Sequence, residues 1–208
     1  MAKQENLGNL QMKNFKTWLV KLLRSRFAQK HQKLPRRVRI LADIEIDQIK
    51  INGIKGIILD LDNTIVSEHD RYLSPWAEDW ITKAKLAGLQ FFILSNGKRT
   101  YRVKYWSHRL DIQAINPAKK PFRRAFSQAI AYMQLQPKQV VVIGDSLHTD
   151  VLGSWLSACH CIQCTTLPHP PRWWEKLASK WVQIPYPDDC EIWDFDAVEY
   201  KSFFDNFS

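Results

Sequence analysis

Two aspartates with one leucine between them close an apolar run in I-L-D-L-D-N-T, residues 58–64. Gly56-Ile57-Ile58-Leu59 reads as a buried strand, and Asp60 and Asp62 follow it directly. On an extended backbone residues i and i+2 share a face, and like charges at short range repel. A lone aspartate here reads as a turn residue, with Asn63-Thr64 continuing the turn. A pair is less natural in that role, with no lysine or arginine between Gly56 and Asp70 to neutralise it. Its spacing suits a cation bridging the two, most simply a divalent metal with oxygen ligands.

Other residues have the same placement. Asp145-Ser-Leu-His-Thr-Asp150 follows the apolar run Gln139 to Ile143, and Ser95-Asn96-Gly97 follows Leu89 to Leu94. Three acids converging with a hydroxyl make the oxygen-rich site that Mg2+ prefers. An anionic substrate entering such a site needs a balancing positive charge. Lys120, directly before Pro121 at an expected helix start, is placed to supply it, whereas Lys119 reads as a solvated neighbour.

These residues need elements that bring them to one edge. Ile54 to Leu61, Leu89 to Leu94, Gln139 to Ile143 and Cys161 to Thr165 read as core strands, with a short one at Gln113 to Ile115. Helices are expected from Ser74 as N-cap and Pro75 to Ala87, from Thr100 to Arg109, from Pro121 through Met133, and near Asp150. Alternating strands and helices predict a three-layer, mostly parallel α/β sheet of Rossmann-like form. Ligands of such sheets bind beyond the carboxyl ends of the strands. Asp60, Asp62, Ser95, Asn96, Asp145 and Asp150 all fall there. The intervals from Asp60 to Ser95 and from Ser95 to Lys120 each hold about one helix and its loops, so no cap domain is expected. An open site favours a large or surface-embedded substrate.

D-L-D-N-T, L-S-N, K-P and G-D-S-L-H-T-D, in that order, resemble the four motifs of the haloacid dehalogenase (HAD) phosphatase superfamily. More narrowly, I-L-D-L-D-N-T with A-K-K-P-F-R-R-A-F and V-V-I-G-D-S-L-H-T-D-V-L-G resembles its YqeG-like branch, subclass IIIA. That branch includes the phosphatidylglycerophosphate phosphatases of mitochondria. The resemblance covers about Pro35 to Lys180, and Asn96-Gly97 stands where Asn-Asn is expected. It implies a Mg2+-dependent phosphatase in which Asp60 is the nucleophile, forming an aspartyl-phosphate. Asp62 would protonate the leaving oxygen and then activate water. The metal would be held by Asp60, the main-chain carbonyl of Asp62 and Asp145, with Asp150 in support. Ser95 and Lys120 would hold phosphoryl oxygens, Asn96 would join them in binding substrate, and Thr64 would orient the loop.

The chain has 208 residues, 45% of them hydrophobic, enough for one full core with an appendage at each end. The expected organisation is a basic amphipathic segment at 1–34, a phosphatase domain at 35–185 and an acidic, aromatic tail at 186–208. No run reaches the roughly 18 apolar residues of a membrane span, and MAKQENLGNL lacks the order of a signal peptide. A cytoplasmic protein peripheral to a membrane is expected, and an organelle matrix is compatible. The net charge of +9 is uneven: no acidic residue lies between Glu5 and Asp43, a stretch rich in lysine and arginine. Phe15, Trp18, Leu19, Leu22, Leu23 and Phe27 recur there at helical spacing, as an interfacial helix requires. The expected partners are therefore an anionic membrane surface and a phospholipid phosphate. Aromatic and basic residues do not interleave as on a nucleic-acid platform. The alternatives are a phosphatase of nucleic-acid 3′ ends or phosphoproteins, and a non-catalytic membrane scaffold. Trp173-Trp174 reads as a second interfacial anchor or a core contact. Cys159, Cys161 and Cys164 lack a second ligand pair and read as small core residues rather than a zinc site.

Overall fold

The structure, a computed structural model, describes residues 34–170 and 182–195. The basic stretch Asn14 to Lys30 and the Trp173-Trp174 pair lie outside these residues. Six strands form the main sheet: β1 (Arg37–Val38), β2 (Gly56–Leu59), β4 (Gln90–Leu94), β5 (Ala114–Ile115), β6 (Val140–Gly144) and β7 (His160–Cys164). Their order is β1-β7-β6-β2-β4-β5, and every pairing is parallel. This is the expected Rossmann-like α/β sheet. β3 (Tyr72–Leu73) and β8 (Trp193–Asp194) make a small antiparallel pair of their own.

The central strands are apolar throughout because both faces are covered. Ile57, Leu59, Phe91, Ile93, Val141 and Ile143 point to one face. They meet Ile49 of α1 (Ile46–Ile51), Trp80, Ile81 and Ala84 of α2 (Ala77–Leu86), and Val103 and Trp106 of α3 (Thr100–Arg109). Their alternates Ile58, Phe92, Leu94, Val140 and Val142 point to the other face, against Ala125, Phe126, Ala129 and Ile130 of α4 (Arg123–Tyr132). Side-chain alternation along each strand thus builds both cores and the three layers. Phe126 is fully enclosed, and truncating a core phenylalanine to alanine costs about 3–5 kcal/mol.

One local expectation is corrected, and two others gain detail. Ser74 does not cap the helix after it; α2 begins two residues beyond Pro75, and Trp76 precedes it in the left-handed region at φ 59°. Ser74 is buried, its N–H donating to Ile65 O at 2.8 Å, so Ser74-Pro75 forms a turn into the helix. Near Asp150 the helix opens as a single π turn, Leu147–Val151, before α5 (Leu152–Leu156). The described part of the acidic tail lies on the domain: besides pairing with β3, Trp193 meets Trp76 edge to face at 4.9 Å, and Phe195 lies 5.4 Å from Trp106.

Between Asp60 and Ser95 the chain holds only β3, α2 and β4, and between Ser95 and Lys120 only α3 and β5, so neither interval carries a cap domain. All four cysteines are free. Cys164 is buried in β7, and Cys159 and Cys161 are half-buried, with burial pushing both thiols up to about 12. Among the described residues no helix is long and apolar enough to cross a membrane.

Candidate active site

Parallel register sets the site. Leu59 of β2 pairs with Ile143 of β6 and Ile93 of β4, so Asp60, Asp145 and Ser95 leave neighbouring strands at the same sheet edge. Asp60 N–H donates to Ile143 O at 2.9 Å, which fixes the first residue past the strand.

Lys120 Nζ donates to Asp60 Oδ1 at 2.6 Å and to Asp150 Oδ1 at 2.6 Å, and all three side chains are buried. Asp150 Oδ2 accepts from Ser146 N at 3.3 Å and from the Thr149 hydroxyl at 3.1 Å. A Cβ on Gly144 would stand 2.4 Å from Asp150 Cγ, so only glycine lets this carboxylate fold back against the end of β6. Asp145 is held twice. Its carbonyl accepts from Gln163 Nε2 at 2.9 Å and its Oδ2 from Gln183 Nε2 at 3.0 Å.

Carboxylate oxygens of Asp60, Asp145 and Asp150 lie within 4.8 Å of one another. Three buried acids face one buried ammonium, which leaves two negative charges in excess. The electrostatics register that excess. Burial, then Asp150, holds the Asp60 carboxyl well above the usual carboxylate range despite Lys120. Burial and Asp150 push Asp145 up to about 7. For Lys120, burial acts to lower the ammonium, and Asp150 with Asp60 overcomes it and holds the group above its ordinary value. An all-oxygen cluster with a two-charge excess fits a hard divalent cation.

Asp62 faces away from this cluster. Its Oδ2 accepts from Ser95 Oγ at 2.6 Å, and its Oδ1 accepts from Arg102 Nη1. Ser95 Oγ in turn accepts from Gly97 N at 2.9 Å. A Cβ on Gly97 would stand 2.9 Å from Asp62 Oδ2 and 3.0 Å from Ser95 Oγ, so glycine at this position leaves room for the pair. A cleft of about 850 Å³ opens over Asp60, Asp62, Lys120 and Asp145, rimmed by His69, Lys98 and His148. His148 Nδ1 pairs with Ser146 Oγ at 2.7 Å.

Asp60, Asp62, Asn96, Lys120 and Asp145 line this cleft, and Asp150 stands behind Lys120. The three residues expected on the substrate side have the following surroundings. Thr64 is enclosed, does not line the cleft, and its hydroxyl oxygen has no hydrogen-bond partner. Ser95 is enclosed as well and directs its hydroxyl to Asp62. Asn96 accepts from Lys120 N at 2.9 Å and donates to Lys120 O at 3.0 Å, so both ends of its amide place the lysine.

Sequence reasoning missed Arg102, Asp70, Gln163 and Gln183. Arg102 left a trace, because it precedes Val103 and stands one turn before Trp106 on the buried stripe of α3. The glutamines left none, since an isolated glutamine ordinarily reads as surface.

The family model described as mitochondrial PGP phosphatase matches residues 22–167. The chain belongs to this family. It is 38% identical over 125 residues, 60% of its own length and 72% of the relative's, to "Probable phosphatase YqeG" of Bacillus subtilis (strain 168). Among solved structures it is similar to the HAD phosphatase from Thermococcus onnurineus, at TM-score 0.44 and 15% identity, over 58% of this chain and 90% of that one. It is also similar to the protein XCC2798 of Xanthomonas campestris, at TM-score 0.47 and 17% identity, over 71% of this chain and 81% of that one. The chain is a YqeG-like phosphatase of the HAD type, a phosphoric monoester hydrolase. The family match ends at Leu167, short of Gln183.

Proposed function

We propose that this phosphatase is Mg2+-dependent, works through an aspartyl-phosphate on Asp60, and dephosphorylates phosphatidylglycerophosphate at a membrane surface. The observation that carries the mechanism is the separation of two carboxylates two residues apart. Asp60 faces Lys120 and the acidic cluster, while Asp62 is turned to Ser95 and Arg102. This separation supports a nucleophilic role for the first and an acid–base role for the second.

An Asp60 oxygen attacks phosphorus as the bond to the leaving oxygen breaks. Asp62 gives that oxygen its proton. In the second half Asp62 takes a proton from water, which attacks the aspartyl-phosphate and frees Asp60 and inorganic phosphate. Lys120, fixed by Asp150 and by the Asn96 amide, offers positive charge to the phosphoryl oxygens. Mg2+, held by Asp60, Asp145 and the Asp62 carbonyl with Asp150 in support, would supply further charge neutralisation there.

Three features support the lipid reading. Neither interval flanking Ser95 carries a cap domain, the family carries the PGP name, and residues 1–34 are basic with apolar residues at helical spacing. An anionic bilayer attracts each basic residue near it by about 1 kcal/mol. The deciding experiment measures phosphate release from phosphatidylglycerophosphate in vesicles, from phosphopeptides and from 3′-phosphorylated oligonucleotides, with Mg2+ or with EDTA. Release from the lipid that EDTA abolishes is expected. Release from peptide or oligonucleotide but not from lipid overturns the substrate, and full turnover in EDTA overturns the metal.

A further inference from the structure

Arg102 is an unusual residue for the interior of a helix face. Its side chain is 2% exposed, level with the apolar residues around it. A buried guanidinium must satisfy its donors or destabilise the fold. Here each nitrogen has a partner on the same stretch of chain. Nη1 reaches Asp62 Oδ1, Nε reaches Asp70 Oδ1, and Nη2 donates to Val66 O at 3.0 Å and Ser67 O at 2.8 Å.

All four acceptors lie in residues 62–70, the loop that leaves β2 and returns toward β3. Asp70 is buried too, and its other oxygen accepts from Arg99 Nη1 at 2.6 Å, so two arginines and two aspartates form a charge-balanced group. The loop is braced further by the Ser67 hydroxyl, which accepts from Arg71 N at 3.0 Å and Tyr72 N at 2.9 Å. Arg99 and Arg102 line the cleft together with Asp62, and Asp62 is the member of the group given a step in the reaction.

We infer that Arg102 is a positioning residue for the acid–base carboxylate: from α3 it anchors the 62–70 loop and fixes Asp62 Oδ1, while Ser95 fixes Oδ2. The inference rests on the acid–base role given to Asp62 above. Arg102 acts on the reaction through Asp62. Asp70 is its counter-charge, keeping the guanidinium shared instead of drawn wholly onto Asp62.

A positioning role predicts a particular failure. A loosened Asp62 delivers its proton poorly, and this matters most when the leaving oxygen is strongly basic. The test compares kcat/KM of the full-length parent, Arg102→Lys, Arg102→Met and Asp62→Asn on alkyl phosphate, phenyl phosphate and p-nitrophenyl phosphate. This ratio reports the steps up to formation of the phosphoenzyme. Arg102→Met should lose about a hundredfold on the alkyl ester, the loss expected when a catalytic group is misplaced by an ångström, and less than tenfold on p-nitrophenyl phosphate. Asp62→Asn should show the same tilt, only steeper. Arg102→Lys keeps the charge but cannot span four acceptors, so it should fold and show a weaker tilt of the same sign; it carries the test if Arg102→Met does not fold.

An equal loss on all three esters by Arg102→Lys would show that Arg102 supports only the fold or shared binding, and so would no loss at all. A flat profile for Asp62→Asn overturns the acid–base role itself, and that result is distinct because it does not involve Arg102.

Discussion

Gln183 donates its amide to Asp145 Oδ2 at 3.0 Å, although the two residues stand 38 positions apart in the chain. The segment carrying Gln183 is docked by its backbone, with Thr166 N donating to Ile184 O at 2.8 Å. Gln183 is 8% exposed, and the pocket that holds it gives its amide a carboxylate as partner. Partners of this kind orient metal-binding carboxylates, and their loss lowers metal affinity by about 10- to 100-fold.

Gln183→Leu should therefore weaken Mg2+ binding by at least about tenfold in calorimetric titration. Gln183→Glu should weaken it further if the new carboxylate faces Asp145, since like charges would then meet. Parent-like affinity in Gln183→Leu would show that Asp145 holds its own position.

Asp60→Asn should lower kcat by at least about a thousandfold, because an amide cannot attack phosphorus. The same change removes a buried charge held above its usual range mainly by burial and Asp150. In EDTA the variant should melt no lower than the parent. Normal turnover in pure Asp60→Asn protein rules out the covalent route, while a lower melting temperature would mean that the Lys120 contact outweighs the crowding.

The acidic cluster also sets a pH dependence. Asp145 titrates at about 7 when folded, against an ordinary value of 3.8, because of burial first and Asp150 next. Between these values the folded, metal-free chain holds a proton that the unfolded chain has released. Its stability should thus be greatest below the lower value and fall as pH rises through the upper one. Asp60, shifted in the same direction, adds to the trend. Melting of EDTA-treated protein should move to lower temperature between about pH 5 and pH 7.5, and Mg2+ should stabilise most at the high end. A flat or rising profile in EDTA shows that the cluster is not under this strain.

The proposed membrane surface is tested by deletion. Without residues 1–33, binding to anionic vesicles and turnover of vesicle-embedded substrate should fall, while a small soluble ester is spared. Binding by the full chain should weaken with salt, since exposed charges are screened over about 10 Å at 0.1 M. Equal loss on the lipid and the soluble ester removes the membrane role from this segment.

Much of the site was legible because its chemistry sits at strand ends, where apolar runs stop at polar residues. Asp60, Asp62, Asp145 and Asp150 each follow such a run, and Lys120 is marked by Pro121. Parallel pairing of β2, β4 and β6 then brings them together. Elements without periodicity were not legible. β1, β3 and β8 are two residues each, too short for alternation to register. Ser74-Pro75 carries the local signals of a helix start, yet burial of Ser74 moves that start to Ala77. Arg102 and Gln183 depend on partners far along the chain, which no local pattern encodes.

The late arrival of Gln183 bears on how the enzyme is made. A chain is synthesised from its N-terminus, and its earlier parts begin to fold before the rest exists. Asp60, Ser95, Lys120 and Asp145 emerge first, and β7, which supplies Gln163, follows them. Asp145 then has one of its two holders, while the segment bearing Gln183 and, behind it, the β8 strand that pairs with β3 are still to come. A nascent chain arrested before that segment would expose a crowded acidic cluster with its last support missing. Full support of Asp145 is thereby tied to synthesis of the segment that carries Gln183.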